Sequence, residues 1–299
     1  MKNIKRNSFI ILFITLLILY FLLKDNFKEV INIIQTMDLK YILIALLLYF
    51  GYLIFHTAVN YLWVNDKEKL PFKEALNHMI ITQFFNGITP FSTGGQPMEI
   101  YMLKNHGFRY TKATNIIMQN FIVYQLALVI FGLFAVVYNF LNNILTYNKV
   151  LTNLIILGFL INTLVAFFLL FIALSQKFTK FILNLIMKLG NKLHFIKNKE
   201  QTLAKWEERL EDFHKCTKEV KEKKGLFVLG IILNLIGLIC YYAIPLMLVY
   251  SLHDYTSLNV ITSVVASAYV LLIGSFVPIP GATGGIEYGF MQVFANFLP

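Results

Sequence analysis

The chain of 299 residues is 58% hydrophobic and 14% charged, with a formal net charge of +10 and a mean hydropathy of +0.66. A soluble domain carries about 25% charged residues and a disordered chain is poor in apolar ones, so both classes are excluded. Uncharged runs such as Ala113 to Asn148 and Val150 to Gln176 are long enough to cross a hydrocarbon core of roughly 30 Å at about 1.5 Å per residue. They are continuous and do not alternate with period two, which excludes a β-barrel. The expected fold class is an all-α polytopic membrane protein, with 1–299 as a single membrane domain.

In chain order, Lys2, Lys5 and Arg6 precede an apolar stretch from Ser8 to Leu23. Lys24, Asp25 and Asn26 follow without a small-residue cleavage pattern, so 8–23 is read as an uncleaved first span. Four more plain spans are predicted at 41–64, 113–141, 150–175 and 225–252. Two other apolar stretches, 75–104 and 257–299, are broken midway by Pro and Gly. With the N-terminus in the cytoplasm and 75–104 returning to the face it entered from, 22 of the 26 Lys and Arg fall in inside segments. Loop asymmetry of Lys and Arg sets orientation. It therefore favours a multi-pass protein of the cell membrane with an inside N-terminus and a re-entrant first hairpin.

The segment 176–224 is expected to be cytoplasmic. Phe178, Phe181, Ile182, Leu185, Ile186 and Leu189 recur at helical spacing between lysines, the pattern of a helix lying on the inner leaflet. Leu203, Trp206, Leu210, Phe213, Thr217 and Val220 continue a 3-4 rhythm. That stretch is either part of a surface hairpin or a docking face for a partner.

Both broken stretches contain Pro-x-x-Thr-Gly-Gly, at Pro90–Gly95 and Pro280–Gly285, with Glu99 and Glu287 shortly after. Pro removes a backbone donor and paired Gly weakens a helix. Non-helical backbone at membrane depth needs protein or a water-filled cavity around it. Three plain spans separate the two copies, and an odd number of crossings reverses orientation. The second hairpin, 257–299, is thus expected to enter from the opposite face, an inverted pair of the kind that forms substrate sites in secondary transporters.

The run Thr-Pro-x-x-x-Gly-Gly-x-Pro-x-Glu over Thr89–Glu99, followed by Lys104–Gly107, and the run Pro-x-Pro-Gly-x-x-Gly-Gly-Ile-Glu over Pro278–Glu287 resemble the membrane region of the lysylphosphatidylglycerol synthases. The resemblance implies a stand-alone, flippase-like membrane protein that moves a phospholipid or lipid-linked headgroup between leaflets. The full-length synthases add a soluble aminoacyl-transfer domain, which has no counterpart here, so a lysyltransferase activity is not expected. The family leads us to expect a further apolar helix after Pro299.

The expected lipid-binding residues are Thr93, Gly94, Gly95, Gln96, Glu99, Lys104, Arg109, Thr283, Gly284, Gly285 and Glu287. Hydroxyls and free backbone N–H groups at half-helix N-termini suit an anion such as a lipid phosphate. Glu99 either caps its own helix, with Gln96 as N-cap and Pro97 at the first position, or serves as an ionisable group at membrane depth. Glu287 has the same two readings. Lys104 and Arg109 either pair with a headgroup phosphate or only fix topology. Gln83, Asn86, Gln119, Asn120 and Gln125 either line a polar cavity or bond between helices.

His56 and His78 lack a second ligand at i+3 or i+4, and Cys216 and Cys240 form no ligand pattern. No metal and no cofactor are therefore expected. Hydrolase, metalloprotease, P-loop and dinucleotide signatures are absent, as is a nucleic-acid-binding one. An enzyme is not expected. Lipid translocase is the leading reading; a secondary transporter of a small solute, or a membrane partner for a separate synthase or glycosyltransferase, are the alternatives. The expected partners are the membrane itself and an anionic phospholipid or lipid-linked substrate.

Overall fold

A computed structural model of the chain describes residues 27–64, 70–143, 149–192, 224–295 and 297, together with Trp206, Leu210, Glu211 and His214. Among the described residues every regular element is helical. The helices are α1 (Phe27–Thr36), α2 (Leu39–Leu62), α3 (Phe72–Ile88), α4 (Gly95–Asn105), α5 (Tyr110–Asn142), α6 (Lys149–Leu174) and α7 (Gln176–Lys192). After Lys224 follow α8 (Lys224–Tyr242), α9 (Ile244–Ser251), α10 (Val260–Gly274) and α11 (Gly285–Phe294).

Among the described residues, four segments are long and apolar enough to cross a membrane: Leu39–Leu62, Tyr110–Asn142, Lys149–Leu174 and Lys224–Ser251. They coincide with four of the five predicted plain spans. The predicted span 8–23 lies outside the described residues, as do the rhythm at 203–220, apart from Trp206 and Leu210, and Cys216. The spans expose large apolar side chains, and their largely apolar interior also holds several polar ones. Leu47, Phe50, Leu164 and Phe167 are exposed, while α5 buries Asn115, Gln119, Asn120 and Gln125.

The span predicted as plain at 225–252 is divided. Pro245 has no N–H to give and crowds the carbonyl one turn earlier, so the helix breaks at Ala243 and resumes as α9. The Tyr242 carbonyl is taken up by two hydroxyls of α10, Ser263 at 2.9 Å and Ser267 at 3.0 Å. Either serine alone still satisfies it. Ser263→Ala and Ser267→Ala are thus each expected to be mild, and the double variant to cost about 1–3 kcal/mol because a buried carbonyl then loses both donors. Thermal unfolding in detergent measures the difference.

Both broken stretches fold as helix–turn–helix hairpins, α3 against α4 and α10 against α11. The longest arms, 17 residues in α3 and 15 in α10, extend about 25 and 22 Å, less than the roughly 30 Å of a bilayer core. α10 is the most enclosed helix, packed on α5, α6 and α11. α6 meets it through Gly158, where a Cβ would lie 2.1 Å from the Leu272 carbonyl oxygen. Small residues let membrane helices approach this closely. Beside that contact Asn162 Nδ2 donates to Ser275 Oγ at 2.7 Å.

α7 begins the predicted surface segment and is strongly amphipathic, as its spacing suggests. It buries Thr179, Leu183 and Met187, while Phe181, Leu185 and Ile186 of the predicted apolar face stay exposed. A membrane surface would cover these three.

Candidate functional site

The two Pro-x-x-Thr-Gly-Gly runs fold alike. Each Pro opens a single 3-10 turn, Pro90–Ser92 and Pro280–Ala282. In each, the next two residues are left-handed: Phe91 and Ser92 at φ 54 and 52, Gly281 and Ala282 at φ 64 and 54. The threonine hydroxyl closes both turns onto the proline carbonyl, Thr93 at 3.0 Å and Thr283 at 2.8 Å. Such conformations are costly for residues with a Cβ and persist only where the surroundings hold them. Here the two turns pack on each other and the second also packs on α3. At the contact a Cβ on Gly281 would stand 3.0 Å from the Gly87 carbonyl oxygen.

The glycine N–H groups expected to be free for an anion are largely engaged within the tips. Gly94 N donates to Thr89 Oγ1 at 2.8 Å and Gly95 N to Asn86 Oδ1 at 2.9 Å. Gly284 N donates to Glu287 at 2.6 Å. This also corrects the expected start of α4. Because Thr89 and Asn86 cap from the preceding arm, the helix begins at Gly95 with Gly94 as N-cap, and Gln96 does not cap. Gly95 and Gly285 are fitted tightly, since a Cβ would lie 2.4 Å from Asn86 Oδ1 and 2.3 Å from Val277 Cγ2 respectively.

The earlier start moves Glu99 from the third helical position to the fifth, out of reach of its own N-terminus. It is instead buried, at 7% exposure, and turned toward α2 and α5. Asn120 Nδ2 of α5 donates to Asn60 Oδ1, and Asn60 Nδ2 donates to Glu99 Oε1. Glu99 also lines a cavity of about 10 Å³ together with Asn60 and His78, room for roughly one water. Helices α3, α4 and α5 carry further buried polar atoms with no protein hydrogen-bond partner: Thr82 Oγ1, Gln96 Oε1, Gln119 Nε2, Asn120 Oδ1 and His78 Nδ1. Asn60 was missed from sequence, although an amide within an apolar helix of 24 residues is itself a signal.

Glu287 behaves differently. It is exposed and caps its own helix through the Gly284 N–H, so the two glutamates of the paired motifs do not share a role. Lys104 and Arg109 are exposed at the end of α4 and the start of α5. Lys104 is nine residues past Gly95, about 13 Å along the helix, so the basic pair belongs to the hairpin base and not to the tip. The structure thus brings together the two turns, Pro90–Ser92 and Pro280–Ala282, while Thr93 to Gly95 and Thr283 to Gly285 follow them, each engaged within its own hairpin. It separates from them Glu99 in the bundle interior and the basic pair at the base.

Comparison with curated proteins and with solved structures found no match. Residues 8–299 match the family model described as the lysylphosphatidylglycerol synthase TM region, and the chain belongs to that family.

Proposed function

We propose that this membrane protein is a lipid translocase, in which a phospholipid or lipid-linked headgroup crosses between leaflets along the polar interior bounded by α2, α3, α4 and α5. The observation that carries this reading is the contact between the two left-handed turns. Three spanning segments lie between the hairpins, so hairpins that meet tip to tip enter from opposite faces. Discontinuous inverted helices meeting near the midplane suit alternating exposure of one site to two faces. The buried amides of α5 and the buried Glu99, with the half-buried Asn60 between them, supply a polar track that a headgroup requires and acyl chains do not. In this reading Lys104 and Arg109 attract the phosphate at the mouth of the first hairpin, and the chain carries no catalytic activity of its own. The N-terminus is cytoplasmic.

Reconstitution into vesicles with headgroup-labelled phospholipids tests the reading. The inner-leaflet pool is expected to become accessible to an impermeant quencher, and failure with anionic, zwitterionic and aminoacylated headgroups alike would reject translocation. Orientation is read separately, in a chain with Cys216 and Cys240 replaced. Single cysteines near Lys199 and Asn142 are expected to react with an impermeant thiol reagent from opposite faces. Reaction of the 253–258 loop from the Lys199 face would refute the inverted arrangement.

A further inference from the structure

We propose that Glu99, His78 and the His106–Glu74 pair form a proton path from the bundle interior to the base of the first hairpin. It gives the translocase reading a route for proton exchange at one face, and it rests on that reading only for what the proton drives. An ionised carboxylate at membrane depth with no cation beside it is costly, and a proton removes the charge. Glu99 is in that position. The cavity wall beside it is made of Asn60, His78 and apolar side chains, with His78 the other titratable group. α2 and α5 present the amides Asn60 and Asn120 and the apolar Ile116 and Ile117, while Lys104 on its own helix is exposed. His56, the histidine of α2, packs instead against Tyr52 and Tyr124.

Exposure rises stepwise along the path. Asn60 occupies Oε1 of Glu99, which leaves Oε2 as the oxygen to carry the proton. The buried Nδ1 of His78 has no protein partner. The His78 ring meets the His106 ring edge-on, with centroids 6.3 Å apart. His106 Nδ1 lies 2.9 Å from Glu74 Oε2, with side-chain exposures of 26% and 50%. In a neutral imidazole protonated at Nε2, Nδ1 is an acceptor. A proton leaving the Glu99 carboxyl passes through one cavity water to His78 Nδ1, leaving a carboxylate and an imidazolium. The imidazolium then gives up its Nε2 proton to water at the His106–Glu74 pair, which leaves the neutral ring as its Nδ1–H tautomer; exchange with water returns it to the Nε2–H form before the next transfer. Glu99 loses one proton and water at the pair gains one, each hand-over breaking one O–H or N–H bond and forming another.

The full chain in phosphatidylglycerol–phosphatidylcholine vesicles provides the test, by infrared spectroscopy after a pH jump. A protonated-carboxyl C=O band absent from Glu99→Gln is assigned to Glu99. His78→Gln is expected to slow its rise and decay by at least about tenfold, the low side of what positioned proton-transfer groups contribute, with its equilibrium amplitude retained. His56→Gln is expected to match the wild-type rate. If His78→Gln proves unstable on melting, His106→Gln is read by the same criterion. The path is overturned by a Glu99 band that is missing, or by a histidine variant exchanging at the wild-type rate. A chain that exchanges the proton but moves no lipid would reject translocation alone. A chain that moves lipid without a titrating Glu99 would reject the proton path alone.

Discussion

Glu99→Gln is expected to lower lipid flipping by at least tenfold, about 1.4 kcal/mol or more in the barrier, while leaving the melting temperature unchanged. The amide keeps the shape of the side chain and still accepts from Asn60 through its carbonyl oxygen, so the chain Asn120–Asn60–99 survives. Only the charge and the transferable proton are lost. Asn60→Leu makes the complementary change. It removes the donor to Glu99 and the acceptor from Asn120 together, and stranding two buried polar groups is expected to cost about 1–3 kcal/mol for each. Glu287→Gln is expected to be tolerated for both readouts, because a glutamine oxygen still accepts the Gly284 N–H at an exposed helix end. Equal loss of flipping in Glu99→Gln and Glu287→Gln would contradict the division of roles seen in the structure. A Glu99→Gln chain that flips lipid at the wild-type rate would remove Glu99 from the transport mechanism.

That division explains how far the residues alone could be read. Length and hydropathy suffice for Leu39–Leu62, Tyr110–Asn142 and Lys149–Leu174, because crossing hydrocarbon is a local requirement of each segment. The breaks at Pro90 and Pro280 are legible for the same reason: a missing donor and a glycine pair act on their own turn. Pro245 carries the same local signal, and its break was lost inside a span judged by hydropathy alone. The site is less legible because its bonds are not local. Asn86 reaches nine residues forward to cap Gly95 and thereby shifts the register of Glu99. Asn60 is 39 residues from Glu99 and 60 from Asn120, so their bonds exist only once α2, α4 and α5 have packed. A shared motif predicts a shared turn. It does not predict that one glutamate faces the bundle and the other its own helix end.

The glycines at the tips carry the other large effect. Gly95→Leu and Gly285→Leu are each expected to abolish flipping while the protein still inserts into the membrane. At Gly95 the first side-chain carbon would meet Asn86 Oδ1 at 2.4 Å, the oxygen that caps α4, so Asn86 must swing away and the Gly95 N–H loses its acceptor. At Gly285 the obstacle is Val277 at 2.3 Å, on the stretch leading into the second turn. Overpacking costs about 1–3 kcal/mol, and an orphaned N–H at Gly95 adds to it, so Gly95→Leu is expected to be the less stable of the two. Gly281→Ala separates the tips more gently. A methyl group 3.0 Å from the Gly87 carbonyl oxygen, on a residue at φ 64, forces the turns apart by a few tenths of an ångström without disturbing either cap. If the tip contact itself matters, this change reduces flipping, with a destabilisation of about 1–2 kcal/mol from the Cβ at positive φ. If Gly281→Ala flips lipid normally while Gly95→Leu does not, the first cap and not the meeting of the tips is what transport requires.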